Sequence, residues 1–229
     1  MQYQEIIQRI KALSNPEAVS NMERFGISAS NTYGVSIPNL RAIAKDADKN
    51  HSLAQQLWAS GIHEARILAS MIDEATKVTP EQMEGWVKDF DSWDVCDGCC
   101  NNLFYKTSFA YQKALEWSSR SEEFVKRAGF VLMACLAVHD KRAADERFLG
   151  FLSLIIRGSV DDRNFVRKAV NWALRQIGKR NLNLNQAAIE TARTIQGIDS
   201  KSAKWVASDA LRELASGKIQ LRLQRQEEP

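Results

Sequence analysis

Three nine-residue segments constrain this chain more than any other feature: KRAGFVLMA at 126–134, RKAVNWALR at 167–175 and KWVASDALR at 204–212. Each opens on a basic residue and runs through small and apolar positions, at offsets of 41 and then 37 residues, and EARILASMI at 64–72 is a fainter fourth copy. Apolar residues recur at three- and four-residue spacing, as in Ile6, Ile7, Ile10 and Leu13, or Val125, Gly129, Leu132 and Leu136, which is the spacing of one helix face. Period-two alternation bounded by turn residues, the mark of a half-buried strand, is absent. A unit of about 40 residues holding two short helices cannot bury its apolar face alone, so such units must stack on one another.

That period suits an all-α, HEAT-like repeat α-solenoid with a concave face, built of about 12 or 13 short helices reaching to about residue 216, and equally an all-helical protein with a few loosely similar amphipathic helices. A single domain over 1–229 is expected, with 217–229 as a frayed helix end. Proline placement supports the helical reading, because the missing N–H costs nothing in a first turn. Asn15 and Pro16 look like the cap and first residue of a helix closed near Gly26; Thr79 and Pro80 repeat the device, and Pro38 lies in the first turn after Ser36.

The net charge of +3 points to no partner by itself, but its distribution does. Residues 157–229 carry 14 Lys plus Arg against 8 Asp plus Glu, whereas residues 1–156 carry 17 against 20. The excess is densest at Arg163, Arg167, Lys168, Arg175, Lys179 and Arg180, a footprint suited to a polyanion such as DNA and equally to a solvated helix face. Arg167 and Lys168 are adjacent and cannot point the same way, so part of this charge serves solubility. No apolar run reaches the length of a membrane helix and the first residues carry charges at helical spacing, so no membrane partner and a cytoplasmic location are expected.

The stretch DFDSWDVCDGCCNNLF at 89–104 has the most unusual local chemistry. If a helix starts near Ser92, Trp93 and Asp97 share one face, and an indole beside a carboxylate can hold a cation. Taken singly, Trp93 is as readily a core ring and Asp97 a solvated carboxylate; Asp94, nearer the helix start, suits capping better. Cys96, Cys99 and Cys100 offer a C-x-x-C, but His51, His63 and His139 show no metal-ligand pairing and Cys135 is the only other thiol. Small buried hydrophobes are the expectation for these cysteines, with no metal and no cofactor.

Four stretches together resemble the AlkD-like DNA alkylation repair glycosylases: YGVSIPNLRAIAK at 33–45, SWDVCD at 92–97, FVKRAGFVLMA at 124–134 and DDRNFVRKAVNWALRQIGKRN at 161–181. The resemblance implies a catalytic cleft of two tryptophans, an aspartate and an arginine, matched here by Trp93, Asp97, Arg127 and Trp172. It further implies a DNA-binding concave surface, to which the charge distribution adds Arg163, Arg167, Lys168, Lys179 and Arg180 as candidate phosphate contacts. The cysteines around Asp97 depart from the family pattern without replacing a functional position.

The implied activity is excision of N3- or N7-alkylated, positively charged purines from duplex DNA, by a monomer that uses no lysine nucleophile and does not cut the strand. The duplex would be held along the concave face without a base-flipping pocket. Arg127 could equally be an inter-repeat tie and Trp172 a core residue. Two other functions are compatible with the sequence: a non-catalytic paralogue that binds branched or distorted DNA, and a protein-binding repeat scaffold.

Overall fold

The computed structural model describes residues 1–227, whose regular elements are fourteen α-helices and one short 3₁₀ turn, with no strand among them. They divide into two compact units, Met1–Phe109 and Ala110–Pro229. No helix among the described residues is long and apolar enough to cross a membrane.

The first unit holds α1 (Tyr3–Ala12), α2 (Pro16–Arg24), α3 (Ile37–Ala47), α4 (His51–Ala59), α5 (His63–Ile72), α6 (Pro80–Lys88), α7 (Trp93–Asn102) and the 3₁₀ turn Phe104–Lys106. The proline signals mark helix starts. The Asn15 side chain accepts from the Ala18 N–H and that of Thr79 from the Gln82 N–H, while Ser36 caps α3 by position without a side-chain bond. The chain leaves α2 through Gly26 at φ +74°, a left-handed conformation that glycine adopts without strain. Against α5 pack α3, α4 and α7, burying Leu40, Ile43, Leu57, Leu68 and Ile72. Trp58 and Trp86 stack with centroids 4.0 Å apart, and Phe90 meets Trp58 edge-on at 5.9 Å.

The second unit holds α8 (Ala110–Ser118), α9 (Glu123–His139), α10 (Asp145–Gly158), α11 (Asn164–Gly178), α12 (Leu182–Gln196), α13 (Lys201–Leu214) and α14 (Gly217–Glu227). The three repeated segments lie in α9, α11 and α13, which pack in series: α9 on α11 and α11 on α13. A second series runs α8, α10, α12, so the unit has the two-layer build of stacked helix pairs. Gly129 lets α8 and α9 close up, since a Cβ there would stand 2.3 Å from the Ser118 backbone nitrogen. The segment expected to fray is helical through residue 227, anchored by buried Ile219 and Leu223, which makes fourteen helices where 12 or 13 were expected; residues 228 and 229 lie outside the described residues.

Polar ties between neighbouring repeats follow the same period. Lys126 pairs with Asp161 at 2.9 Å, Arg175 with Glu213 at 2.6 Å and Lys179 with Glu213 at 2.7 Å. Asn171 donates to the Val206 carbonyl and Arg180 to that of Ala137. Each joins residues 34 to 43 positions apart, one repeat length.

Candidate functional site

The helix expected near Ser92 starts there: Ser92 is the N-cap and Trp93 the first residue of α7. Few residues in WDVCDGCCNN favour a helix, given Gly98, Val95 and several Asp, Asn and Cys, so tertiary contacts must hold it. Val95, Cys96, Cys99 and Cys100 supply the apolar face, each no more than 1% exposed. Cys135 is buried as well, so all four cysteines have the expected buried positions. Burial pushes the Cys99 thiol well above its ordinary pKa, and the nearby Cys96 and Asp73 push the same way. Among the described residues no group of three or more His, Cys, Asp or Glu side chains is placed to hold a metal ion.

Trp93 and Asp97 face away from that core and line one cavity of about 530 Å³. Its other walls come from α2 (Ala18, Met22), the segment 34–37 and α5 (His63, Ile67), and its surface is largely apolar. The Trp93 indole Nε1–H donates to the Phe25 carbonyl at 3.0 Å, fixing the ring against the end of α2. Phe25 itself is 70% exposed, and α2 buries none of its residues.

Sequence reasoning missed two residues at the start of α5. Glu64, 1% exposed, accepts the backbone N–H groups of Tyr33, Gly34 and Val35 at 2.9, 2.6 and 3.2 Å, pinning the segment that walls the cavity. Gly34 sits at φ +74°, and a Cβ there would lie 2.3 Å from the Asn15 carbonyl oxygen, so the YGV stretch admits no side chain at that position. His63, also buried, bonds Asp94 through Nε2 at 2.8 Å. Asp94 does sit in the first turn, where its Oδ1 accepts from the Val95 N–H, but its other oxygen belongs to His63. Burial alone would lower the His63 pKa and raise that of Asp94; the hydrogen bond and charge attraction between them outweigh it, so the His63 pKa is raised and the Asp94 pKa lowered.

In the second unit, Arg127 is 6% exposed and donates from Nη1 to the Phe165 carbonyl on α11. Trp172 is half-buried on α11, on the stripe that also carries Lys168, Arg175 and Lys179. The five basic candidates divide. Lys168 is exposed; Arg167 stacks its guanidinium 5.1 Å over the Trp205 ring, which is 38% exposed. Arg163 is bonded to both oxygens of Asp161 and to the Ser121 carbonyl. Lys179 is paired with Glu213, and Arg180 lies over the Phe148 ring at 4.0 Å with the Ala137 and Ala143 carbonyls as acceptors.

Comparison with known proteins agrees with this architecture. A solved structure described as "A new family of proteins related to the HEAT-like repeat DNA glycosylases with affinity for branched DNA structures" superposes with a TM-score of 0.78 at 17% identity, covering 93% of this chain and 95% of that one. The chain thus has a HEAT-like repeat fold. The uncharacterized protein Lin0241 of Listeria innocua is 23% identical over 197 residues, which span 84% of this chain and 86% of that protein. A family model described as DNA alkylation repair enzyme matches residues 6–214, and the chain belongs to that family.

Proposed function

We propose that this chain is a monofunctional DNA glycosylase that releases purines carrying a positive charge from alkylation at N3 or N7 of duplex DNA. The observation that carries this reading is the pairing of Trp93 and Asp97 one turn apart on α7, on the wall of the same largely apolar cavity. An indole face and a carboxylate beside a low-dielectric surface attract a cation more strongly than they do in water.

The chemistry asks for those groups. Alkylation makes the base a good leaving group, so it needs little proton donation, and the barrier lies in the deoxyribose as it becomes oxocarbenium-like. Fixed negative charge at that sugar is the useful catalyst, and Asp97 supplies it while positioning water for attack at the anomeric carbon. Trp93 and Trp172 would flank the cationic nucleotide, each contributing on the order of 1 kcal/mol through cation–π contact. Arg127 would hold a backbone phosphate by charge-assisted hydrogen bonds. Of the basic candidates, exposed Lys168 would make the direct phosphate contact, with Arg163, Arg167, Lys179 and Arg180 fixing the helices that present it. No lysine nucleophile, metal or organic cofactor enters the scheme, and a monomer suffices.

The decisive experiment is release of 7-methylguanine or 3-methyladenine from methylated duplex DNA, with Asp97→Asn as control. No free base at high enzyme concentration would sink the proposal. The fold likeness to a protein described as having affinity for branched DNA favours one second reading, a binding-only relative. Tight, salt-sensitive binding to branched duplex without base release would select it.

A further inference from the structure

We propose that His63 is a positioning residue for this site: by its hydrogen bond to Asp94 it fixes the first turn of α7, and with it the attitude of Trp93 and Asp97 toward the cavity. The proposal builds on the glycosylase reading, but its geometry stands apart from it. His63 and its neighbour Glu64 open α5 as a two-residue junction. Glu64 holds the 33–35 segment by three backbone N–H groups, and the His63 backbone N–H bonds the Asn31 carbonyl at 3.0 Å. The His63 ring reaches the other way, to Asp94 at 2.8 Å, and both residues line the cavity with Trp93, Ile67 and Asp97. A ten-residue helix of weak formers has little means of its own to hold its first turn. The His63–Asp94 bond supplies that restraint next to the residue whose ring faces the cavity.

The groups around the imidazole are mostly acidic. Asp94 acts on it from α7, Asp91 from the preceding turn and Glu64 from its own helix, and Asp97 lines the same cavity. The walls from α2 and the 34–37 segment bring Asn15 and Ser36, which carry no charge. Because the folded His63 pKa lies above its ordinary value, the charged pair is complete below about pH 6.5 and decays as pH rises through the folded value. Trp93 and Asp97 should loosen along the same curve.

The test follows the Trp93 indole N–H by NMR, assigned by its absence from Trp93→Phe, across about pH 5 to 9. In the wild type its resonance should shift with a midpoint above about 6.5; in His63→Gln, which keeps a donor but cannot ionise, it should not titrate. Asp94→Asn removes the partner that raises the His63 pKa, so its midpoint should fall below that of the wild type, and this variant serves if His63→Gln folds poorly. With methylated duplex DNA as substrate, kcat for 7-methylguanine release should fall by about tenfold above that midpoint in the wild type and show no such limb in His63→Gln, with KM little changed. A wild-type Trp93 resonance that does not move, or one that titrates identically in both variants, overturns the proposal. Loss of the titration together with no base release from any form would leave the positioning role standing and remove the glycosylase reading instead.

Discussion

Lys179 Nζ lies 2.7 Å from Glu213 Oε1, and Glu213 takes Arg175 on its other oxygen, so two cations of the basic stripe on α11 are committed to α13. Lys168, on the same stripe, is exposed. The two lysines should therefore behave differently when removed. Lys168→Ala should leave the melting temperature unchanged, weaken duplex binding and reduce the slope of log K against log salt by about 1. Lys179→Ala should cost on the order of 1 kcal/mol in a denaturant titration, by stranding Glu213 beside one partner in place of two. Equal effects of both variants on DNA binding, with neither affecting stability, would contradict this division.

Asp97→Asn separates catalysis from binding. The carboxylate charge is lost while its size and one acceptor remain, so base release should fall by about 10²-fold or more while affinity for methylated duplex stays within a few-fold. Single-turnover release and an anisotropy titration on the same preparation check it. Normal cleavage by the variant removes Asp97 from the mechanism.

The approach of α8 to α9 leaves no space at Gly129. Gly129→Val should destabilise by about 3 kcal/mol, because the atom it must displace is backbone and not the end of a flexible side chain. Gly150→Ala, where an added Cβ meets nothing within 4 Å, is the matched control and should be neutral or slightly stabilising. Urea midpoints of the two variants decide the matter.

Asp161 joins Lys126 and Arg163 at the α9–α11 junction. Burial works to raise its pKa, but the hydrogen bonds from Arg163 and Lys126 prevail and hold it at about 2. A depressed folded pKa contributes stability above the unfolded value, near 3.9, and loses it as pH falls toward 2. Asp161→Asn should therefore lower the melting temperature at pH 7 and flatten its decline between about pH 4 and pH 2. A variant that tracks the wild type across that acid range shows that the junction does not depend on this charge.

The thiols give a simple check on the α7 core. All four are buried and burial drives the Cys99 pKa upward, so none should react with a disulfide reagent while the protein is folded, and all four should on unfolding. Incubation with a chelator should leave the melting temperature and base release unchanged. Stoichiometric zinc in the purified protein would overturn that expectation.

What the sequence made legible was local. The proline caps, the repeated segments and the shared face of Trp93 and Asp97 depend on spacings of a few residues, or on a period that copies itself, and all three are found in the fold. Partners one repeat away were not legible. Arg163, Lys179 and Arg180 look like surface charge until the Ser121 carbonyl, Glu213 and the Ala137 carbonyl are placed beside them, and Arg180 is also covered by the Phe148 ring. His63 escaped for the same reason. Weighed only as a metal ligand, it has as its partner Asp94, a carboxylate 31 residues away. The boundary between the two compact units was not read from pattern, because helices of the same kind run through both, although charge changes across it: residues 1–109 carry 10 Lys plus Arg against 14 Asp plus Glu, and residues 110–229 carry 21 against 14.

The absence of any buried residue in α2 bears on how this part of the protein breathes. The helix is retained by its Asn15 cap, the Asn15 N–H bond to the Tyr33 carbonyl at 2.7 Å and the Trp93 indole bond to Phe25. Few apolar contacts oppose its detachment, so its amides should exchange with solvent deuterium through a local opening far less costly than global unfolding, while those of α9, buried along most of its length, should exchange last. One wall of the cavity should thus melt as a separate segment, and the free energy of that opening sets how often the Trp93 indole loses its anchor at Phe25.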